Sequence, residues 1–322
     1  MSDPDPSSPD FPPIYDSATG PGFRQLTWDA HLAALVALRA RDWFAEDLGH
    51  ECDWTSIGLI APDARSELAL VARKPGVIAG LPAAAVVAEV ADPALFFRPR
   101  VGDGTVVRAG DTVATLAGAT RSVLTAERTI LNLLGRLSGI ATATRRLVDA
   151  VAGTSCRVYD TRKTVPGWRL LDKYAVRMGG GWNHRLGLYD AILIKDNHLA
   201  AAAADRVSPA EAVRTGRAFL TKTFPPTRAA LMVVEVEIDS IDQLEPVLAA
   251  GPDIVLLDNM HVDELSRCVA LRDRLAPAVL LEASGGIRLD TVAAIAATGV
   301  DRVSTGWPTH DAPWLDVALD WQ

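Results

Sequence analysis

Six apolar runs recur in the second half of the chain, and each is followed by a helical or turn segment. They are CRVYDTRK, DAILIKDNH, LMVVEVEIDS, DIVLLDNM, VLLEASGGI and DRVSTG. Continuous apolar strands that alternate with helices are typical of a parallel sheet with both faces covered. Because no dinucleotide-binding fingerprint accompanies them, the runs favour a closed or nearly closed barrel over an open sheet. The segment is shorter than the ~250 residues of a usual eight-stranded barrel, so we expect an incomplete or smaller one.

The first half of the chain predicts a smaller α+β sandwich domain. DAHLAALVALRARDWFAEDLG has helical periodicity, and FFRPRVGDGTVVRAGDTVATLAG has short alternating runs separated by Gly-Asp turns. We place this domain at residues 28–130 and the barrel at 131–307, with residues 308–322 packing back on the first domain. Residues 1–27 are rich in Pro, Ser and Asp, which predicts a disordered tail.

Composition narrows the classes of partner. The net charge of -8 argues against nucleic acid or an anionic membrane surface as the main ligand. Three separated cysteines, Cys52, Cys156 and Cys268, predict neither a disulfide framework nor a zinc site. No apolar run reaches the ~18 residues that a membrane span needs, and the N-terminus lacks the pattern of a secretion signal. We therefore expect a cytoplasmic protein.

Polar residues and glycines stand at the end of each predicted strand. In a β/α barrel the carboxyl ends of the strands meet at one mouth, where catalytic residues lie. Several strands that deliver such groups to one rim predict a functional site there. The residues are Arg162, Lys163, Lys195, Asp196, Glu237, Asp258, Ser284, Gly285, Gly286 and Gly306.

The residue types at this mouth divide into three chemical groups. The cations Arg162, Lys163 and Lys195, joined by His184 and Arg185 of NHRLG, predict a pocket for an anion with several negative groups. The carboxylates Glu237 and Asp258 suit sugar hydroxyls or Mg²⁺. The small-residue turns ASGGI and STGW can present backbone N–H groups to a phosphate. Together these groups indicate a phosphorylated sugar beside a second, polyanionic substrate.

Longer blocks of this sequence resemble quinolinate phosphoribosyltransferase, also called nicotinate-nucleotide pyrophosphorylase (carboxylating), a type II phosphoribosyltransferase. They are AEDLGHECDWTS, TAERTILNLLGRLSGIATATRR, DTRKTVPGWRLLDKYAVRMGGGWNHRLGLYDAILIKDNH, VEVEIDS, LLDNM and EASGG. The resemblance covers roughly residues 30–320 in order. It implies an N-terminal α/β sandwich domain, an incomplete barrel and a homodimer or higher assembly. It also implies the reaction of quinolinate with phosphoribosyl pyrophosphate (PRPP) and Mg²⁺, giving nicotinate mononucleotide, pyrophosphate and CO₂ on the route to NAD.

The resemblance also assigns roles to individual positions. Arg128 matches an arginine that reaches a substrate carboxylate from the neighbouring subunit. Glu237 and Asp258 match carboxylates near the ribose and the metal, and with Lys163 and Lys195 they are the expected catalytic residues. The remaining expected substrate-binding residues are the cations Arg162, His184 and Arg185 and the phosphate-turn residues Ser284, Gly285, Gly286, Gly306 and Trp307. Trp307 stands where the family usually has a small residue.

Three alternatives remain open from the sequence. Lys195 ends an apolar strand, as the Schiff-base lysine of a barrel lyase does. The chain could be a related phosphoribosyltransferase with another pyridine or a metal-linked substrate. It could also be a non-catalytic relative that binds PRPP or regulates a partner. In the reaction with quinolinate, the alkylated ring nitrogen is positively charged and would itself stabilise the ylide that loss of CO₂ leaves. That reaction therefore needs no organic cofactor.

Overall fold

A computed structural model describes residues 22–201 and 207–321, which form two compact units. The N-terminal unit comprises 27–145, 165–180 and 308–321, and the barrel unit comprises 22–26, 146–164 and 181–307. The predicted boundary at residue 130 therefore falls inside the long helix that both units share. None of the helices described is long and apolar enough to cross a membrane.

The secondary structure follows the predicted order of elements. The helices are α1 Ala30–Leu48, α2 Trp54–Leu59, α3 Leu81–Ala91, α4 Thr120–Ala150, α5 Arg169–Met178, α6 Asp196–Ala201, α7 Pro209–Thr223, α8 Pro226–Leu231, α9 Leu244–Ala250, α10 Val262–Leu275, α11 Val292–Ala296 and α12 Trp307–His310. The strands are β1 Arg65–Ala72, β2 Gly76–Val77, β3 Phe96–Pro99, β4 Val106–Val107, β5 Thr112–Ala119, β6 Arg157–Tyr159, β7 Ile192–Ile194, β8 Val234–Ile238, β9 Ile254–Asp258, β10 Leu280–Ser284, β11 Arg302–Ser304 and β12 Val317–Trp321.

The N-terminal unit is built on an antiparallel sheet in the order β12-β1-β5-β3. The C-terminal strand β12 pairs with β1, with Leu70 opposite Leu319. Helix α1 begins at Asp29, whose carboxylate accepts a hydrogen bond from the backbone of Leu32 at 2.8 Å. The buried residues of α1 recur every four positions, Leu32, Val36, Ala40 and Phe44, so that one face joins the core of this unit.

The barrel unit contains one parallel sheet in the order β6-β11-β10-β9-β8-β7. These six strands are the six apolar runs of the sequence. The described parts of β6 and β7 are not hydrogen-bonded to each other, although Tyr159 of β6 forms a single bridge with Trp182. The structure confirms the predicted mixed α/β fold with an incomplete parallel barrel.

The barrel strands are two-sided rather than apolar throughout. In β8, Val234, Val236 and Ile238 pack into the core that includes helix residues of this unit, whereas Glu235 and Glu237 occupy the alternate positions. Glu282 of β10 is flanked in the same way by Leu281 and Ala283. The interior of the barrel therefore carries charged side chains, which the reading of these runs as continuous apolar segments did not predict.

The predicted N-terminal tail is too long at its C-terminal end. Residues 1–21 lie outside the described residues, but Phe23 is fully buried and packs with Tyr159, Val233 and Ile254 in a small core of the barrel unit. Val233 and Ile254 stand at the amino ends of β8 and β9. Phe23 therefore packs between the amino ends of β8 and β9 and Tyr159, the last residue of β6.

Candidate active site

The carboxyl ends of the parallel strands bring several predicted site residues together. The register pairs Asp258 of β9 with Ser284 of β10, and Ser284 with Ser304 of β11. Glu237 is the second-last residue of β8, and Lys195 directly follows β7. The sheet therefore places a base, two carboxylates and two hydroxyls along one rim.

Lys195 and Glu237 form an ion pair at this rim. The Nζ atom of Lys195 contacts Oε2 of Glu237, and the lysine side chain is partly exposed. The carboxylate of Asp258 accepts a hydrogen bond of 2.7 Å from the side-chain amide of Asn259. Glu237 thus has its partner at the end of the neighbouring strand β7, and Asp258 has its partner in the residue that directly follows its own strand.

Arg162 and Arg185 form a centre of positive charge. The Nε atom of Arg162 is buried and makes no hydrogen bond within the described residues. Burial and the nearby charge of Arg162 both lower the pKa of the buried Arg185. The carboxylates of Glu235 and Asp190 act in the opposite direction on Arg185. Because neighbouring guanidinium groups repel each other, an anion placed between Arg162 and Arg185 would stabilise both. Lys163, on the same loop, is exposed.

The turn after β10 has a left-handed backbone at both of its glycines. Gly285 and Gly286 have φ values of 100° and 58°, and Asn259 on the neighbouring turn has a φ of 54°. The backbone N–H of Asn259 donates to the carbonyl of Ser284 at 2.9 Å, which ties the two turns together. The left-handed conformation at Gly285 is open to glycine and strained for other residues.

The turn after β11 is closed by its own side chains. The Thr305 hydroxyl donates to the carbonyl of Ile287 at 2.8 Å and accepts from the backbone N–H of Trp307 at 3.1 Å. The predicted phosphate donor at Trp307 is thus engaged by Thr305, and the Trp307 ring packs against the outer core of the barrel unit. Gly306 is buried between these two residues.

His184 lies inside the barrel between two buried carboxylates. Its Nε2 atom is 3.1 Å from Oε2 of Glu235 and 3.4 Å from Oε1 of Glu282. The adjacent strand brings Arg302 beside Glu282, and the Arg302 guanidinium lies 4.6 Å from the ring centroid of Tyr159. We call His184, Glu235, Glu282 and Arg302 the buried charge cluster.

The proton of His184 has a defined place in this cluster. Burial disfavours the charged ring, but Glu235 and Glu282 outweigh it and would raise the pKa of His184 to about 9. The backbone N–H of Arg185 donates to Nδ1 at 2.9 Å, however, and a protonated Nδ1 would face that N–H. We therefore assign a neutral ring with its proton at Nε2, directed at the two carboxylates. Burial raises the pKa of Glu235, so that carboxyl is the one that holds a further proton.

This tautomer also argues against a metal ion in the cluster. The ligand atoms of His184, Glu235 and Glu282 lie within 4.8 Å of one another, which is close enough for a metal site. A metal at Nε2 would need the lone pair that the proton occupies while Nδ1 accepts from Arg185. The cluster is better suited to holding His184 in place than to binding a cation.

Sequence analysis missed five buried polar residues of this site. Three are Glu235, Glu282 and Arg302, and the other two are Asp160, 1% exposed, and Asn183, fully buried. The alternation of Glu with Val in VEVEIDS was the available signal for a charged inner face. Arg128 belongs to the N-terminal unit, where it is exposed on α4.

Comparisons with known proteins give one consistent family. Residues 53–138 match the family model "Quinolinate phosphoribosyl transferase, N-terminal domain", and residues 140–320 match the C-terminal domain model. The nicotinate-nucleotide pyrophosphorylase [carboxylating] of Mycobacterium leprae is 45% identical over 277 residues, covering 85% of this chain and 93% of its own. A probable nicotinate-nucleotide pyrophosphorylase [carboxylating] of Synechocystis sp. is 43% identical over 279 residues, covering 87% and 90%.

A solved structure agrees with these sequence relatives. The nicotinate-nucleotide pyrophosphorylase of Francisella tularensis superposes with a TM-score of 0.81 at 37% identity, covering 90% of this chain and 97% of its own. Because the match covers 90% of this chain, it includes residues of both units.

Proposed function

The chain belongs to the quinolinate phosphoribosyltransferase family, and we propose that its barrel mouth transfers the phosphoribosyl group of PRPP to quinolinate. The products are nicotinate mononucleotide, pyrophosphate and CO₂, so the enzyme works in NAD biosynthesis. The observation that carries this proposal is the pair Arg162 and Arg185, two neighbouring guanidinium groups with a buried, unengaged Nε at Arg162 among the described residues. A pyridine with two carboxylates supplies one negative group for each of these two guanidinium groups.

Binding of the two carboxylates would orient the pyridine ring. Arg162, Arg185 and the exposed Lys163 surround the dianion, and fixed guanidinium groups bind carboxylates with defined geometry. With the ring held, its nitrogen lone pair is directed at C1 of the ribose. Such positioning can lower a bimolecular barrier by several kcal/mol, of the order of 7 or more in the best cases.

The bond changes at C1 follow from the same geometry. The ring nitrogen forms a bond to C1 as the bond from C1 to the pyrophosphate oxygen breaks, and pyrophosphate leaves with that electron pair. Lys195 carries positive charge next to the departing oxygen, while Glu237 and Asp258 favour the positive charge that grows on the sugar. The glycine turn at Gly285 and Gly286 supplies N–H groups for the 5′-phosphate.

Decarboxylation then needs no additional protein group to act as an electron sink. Once its nitrogen is alkylated the pyridine ring is cationic. The bond from the adjacent ring carbon to its carboxylate breaks, CO₂ leaves, and the electron pair stays on that carbon as an ylide beside the positive nitrogen. A proton from water completes the nicotinate ring. No organic cofactor takes part in this scheme.

Glu237 and Asp258 fit the requirements of Mg²⁺. Both are partly accessible carboxylates at the ends of adjacent strands, and Mg²⁺ prefers a few carboxylate oxygens together with substrate phosphates and water. When bound with PRPP, the ion would neutralise charge on the pyrophosphate. We propose these two residues as its protein ligands.

Two further proposals rest on the family resemblance. The exposed position of Arg128 on α4 supports a homodimer in which this side chain enters the mouth of the partner's barrel. The composition supports a cytoplasmic location.

The Schiff-base alternative is disfavoured by the environment of Lys195. In its ion pair with Glu237, the Lys195 nitrogen has no lone pair available for attack on a carbonyl. Borohydride reduction in the presence of a carbonyl substrate should therefore leave no adduct on Lys195.

The deciding experiment is a direct assay. Purified protein is incubated with PRPP, Mg²⁺ and either quinolinate or nicotinate, and the nicotinate mononucleotide and CO₂ are quantified. We expect both products with quinolinate and negligible turnover with nicotinate, which lacks one carboxylate. Turnover of nicotinate alone would favour a related phosphoribosyltransferase, and no turnover of either would favour a non-catalytic relative.

A further inference from the structure

The segment 22–26, here called the N-terminal arm, packs into the barrel unit beside the residues that carry the site's cations. The Phe23 ring lies against the His184 ring, with centroids 4.1 Å apart, and the Arg302 guanidinium is 5.5 Å from the Phe23 centroid. Phe23 is fully buried. The arm therefore forms one wall of the space in which His184 is held.

Gln25 locks the arm to the backbone of Asn183. Its Nε2 donates to the Asn183 carbonyl at 2.9 Å, and its Oε1 accepts from the Asn183 N–H at 2.8 Å. The same Nε2 also donates to the carbonyl of Phe23 at 3.0 Å. A glutamine amide that donates to the carbonyl and accepts from the N–H of one residue pairs with that residue as a neighbouring backbone strand would.

The side chain of Asn183 continues the network into the cationic loops. Its Oδ1 accepts from the backbone of Leu26 at 2.9 Å, and its Nδ2 donates to Asp160 at 2.7 Å. The second oxygen of Asp160 accepts from the backbone N–H of His184 at 2.9 Å. Asp160 follows β6 and precedes Arg162 by two residues. One buried network thus fixes both the loop that carries Arg162 and the segment that carries Arg185.

We propose that the N-terminal arm is a positioning element of the active site, in which Phe23 and Gln25 hold the segment 183–185 so that Arg185 meets the substrate anion. Neither arm residue contacts substrate in this account. The inference rests on the proposed function only for the identity of that anion, quinolinate. Since the arm precedes the region matched by the N-terminal family model, which begins at residue 53, that match does not cover it.

Substitution of Gln25 in the full-length chain tests the proposal. Gln25→Met keeps the length of the side chain and removes both hydrogen bonds between that side chain and Asn183. We expect the KM for quinolinate to rise about tenfold, which corresponds to about 1.4 kcal/mol of binding, with the KM for PRPP changed less than about twofold. Calorimetric titration of quinolinate should give the same loss of affinity without reference to turnover.

Two control variants separate positioning from general stability. Arg24→Gln changes the residue that lies between Phe23 and Gln25 in the sequence. The Arg24 side chain makes no hydrogen bond or ion pair within the described residues, so this variant should match wild type. Leu220→Ala truncates a buried residue of α7 in the outer core, so it should lower the melting temperature and leave both KM values unchanged.

The outcomes separate a failure of the proposed function from a failure of the positioning role of the N-terminal arm. A wild-type protein that does not turn over quinolinate would overturn the proposed function itself. If wild type is active and Gln25→Met keeps a normal quinolinate KM and affinity, the positioning role is wrong. An equal rise in both KM values, reproduced by Leu220→Ala, would reduce the arm to a stability element and also overturn the proposal.

Discussion

The ammonium group of Lys195 contacts the carboxylate of Glu237 across the ends of β7 and β8. In the proposed reaction Lys195 faces the leaving pyrophosphate, so its charge is needed most in the transition state. We expect Lys195→Ala to lower kcat/KM for PRPP by about 100-fold or more, equivalent to about 2.7 kcal/mol. Steady-state kinetics at saturating quinolinate measures this loss.

The exposed Lys222 of α7 offers a matched control for charge. Lys222→Ala changes the net charge by the same amount and should keep wild-type kinetics. A Lys195→Ala variant with near-normal turnover would contradict the assignment of Lys195 to the leaving group.

Gly285 and Gly286 provide a second test, because they lie in the same turn but differ in the room that each has for a Cβ atom. A Cβ at Gly285 would lie 2.1 Å from Oδ1 of Asn259, whereas a Cβ at Gly286 would meet no atom within 4 Å. Both residues have positive φ, so alanine costs about 1–2 kcal/mol of backbone strain at either position. The collision is specific to Gly285.

We expect Gly285→Ala to raise the KM for PRPP at least about tenfold, with a smaller change for Gly286→Ala. The quinolinate KM, measured at saturating PRPP, serves as the internal control. Equal effects of the two alanines on PRPP would mean that strain rather than the Asn259 contact decides the shape of the turn.

The sequence was sufficient to predict the barrel mouth but not its interior. Strand ends are readable because polar residues and glycines follow apolar runs, and the structure places Lys195, Glu237, Asp258 and Ser284 at the ends of strands of one parallel sheet. The family resemblance is confirmed. Glu282 could not be recognised as interior, because a single charge in an apolar run does not reveal which face of a strand it occupies.

The contacts of the N-terminal arm were beyond sequence analysis for a different reason. The stretch 1–27, rich in Pro, Ser and Asp, predicts disorder by composition, and Phe23 becomes buried only through partners such as Tyr159 and Ile254, which are far away in sequence. Long-range burial of this kind leaves no periodic signal in the segment itself.

The N-terminus of helix α3 gives a prediction about stability. Its cap residue, Gly80, has no side chain, and Asp103 supplies the missing carboxylate from a distant turn by accepting from the backbone N–H groups of Gly80 at 2.7 Å and Leu81 at 3.0 Å. The Tyr174 hydroxyl donates to the same carboxylate at 2.7 Å. We expect Asp103→Ala to cost about 3 kcal/mol of unfolding free energy and Tyr174→Phe about 1 kcal/mol.

Denaturant unfolding of the two single variants and the double variant measures these costs. Both substitutions remove the same hydrogen bond to the Asp103 carboxylate. Tyr174→Phe should therefore change the unfolding free energy very little when Asp103 is already alanine. Fully additive effects would show that the tyrosine hydroxyl does not act through Asp103.

The buried charge cluster predicts opposite behaviour for its two glutamates. Burial, together with the charge of Glu282, raises the pKa of Glu235, whereas the hydrogen bond from His184, the charge of Arg302 and a hydrogen bond from Ser304 outweigh burial and lower the pKa of Glu282. Glu235→Gln preserves a neutral group and should cost less than about 1 kcal/mol near pH 5. Glu282→Gln removes the ionised carboxylate beside Arg302 and should cost about 3 kcal/mol or more.

The pH dependence separates them further. A raised carboxyl pKa contributes stability that is complete below the ordinary pKa of about 4.3 and is lost as pH rises through the folded-state value. Relative to wild type, Glu235→Gln should therefore gain stability as the pH rises above about 5, as measured by thermal or denaturant unfolding. A constant difference across that range would place the proton elsewhere in the cluster.

The proposal that Arg128 of one subunit enters the barrel mouth of the other can be tested by mixing two variants. Arg128→Ala and Lys195→Ala should each abolish most activity as homodimers, because every site lacks one essential cation. After the two variants are unfolded together and refolded, half of the dimers are mixed, and each has one site with both Arg128 and Lys195. Activity should therefore recover to about a quarter of the wild-type value, as expected for a symmetric dimer that assembles at random. If Arg128 serves the barrel of its own chain, every site of a mixed dimer keeps one defect, and mixing recovers nothing.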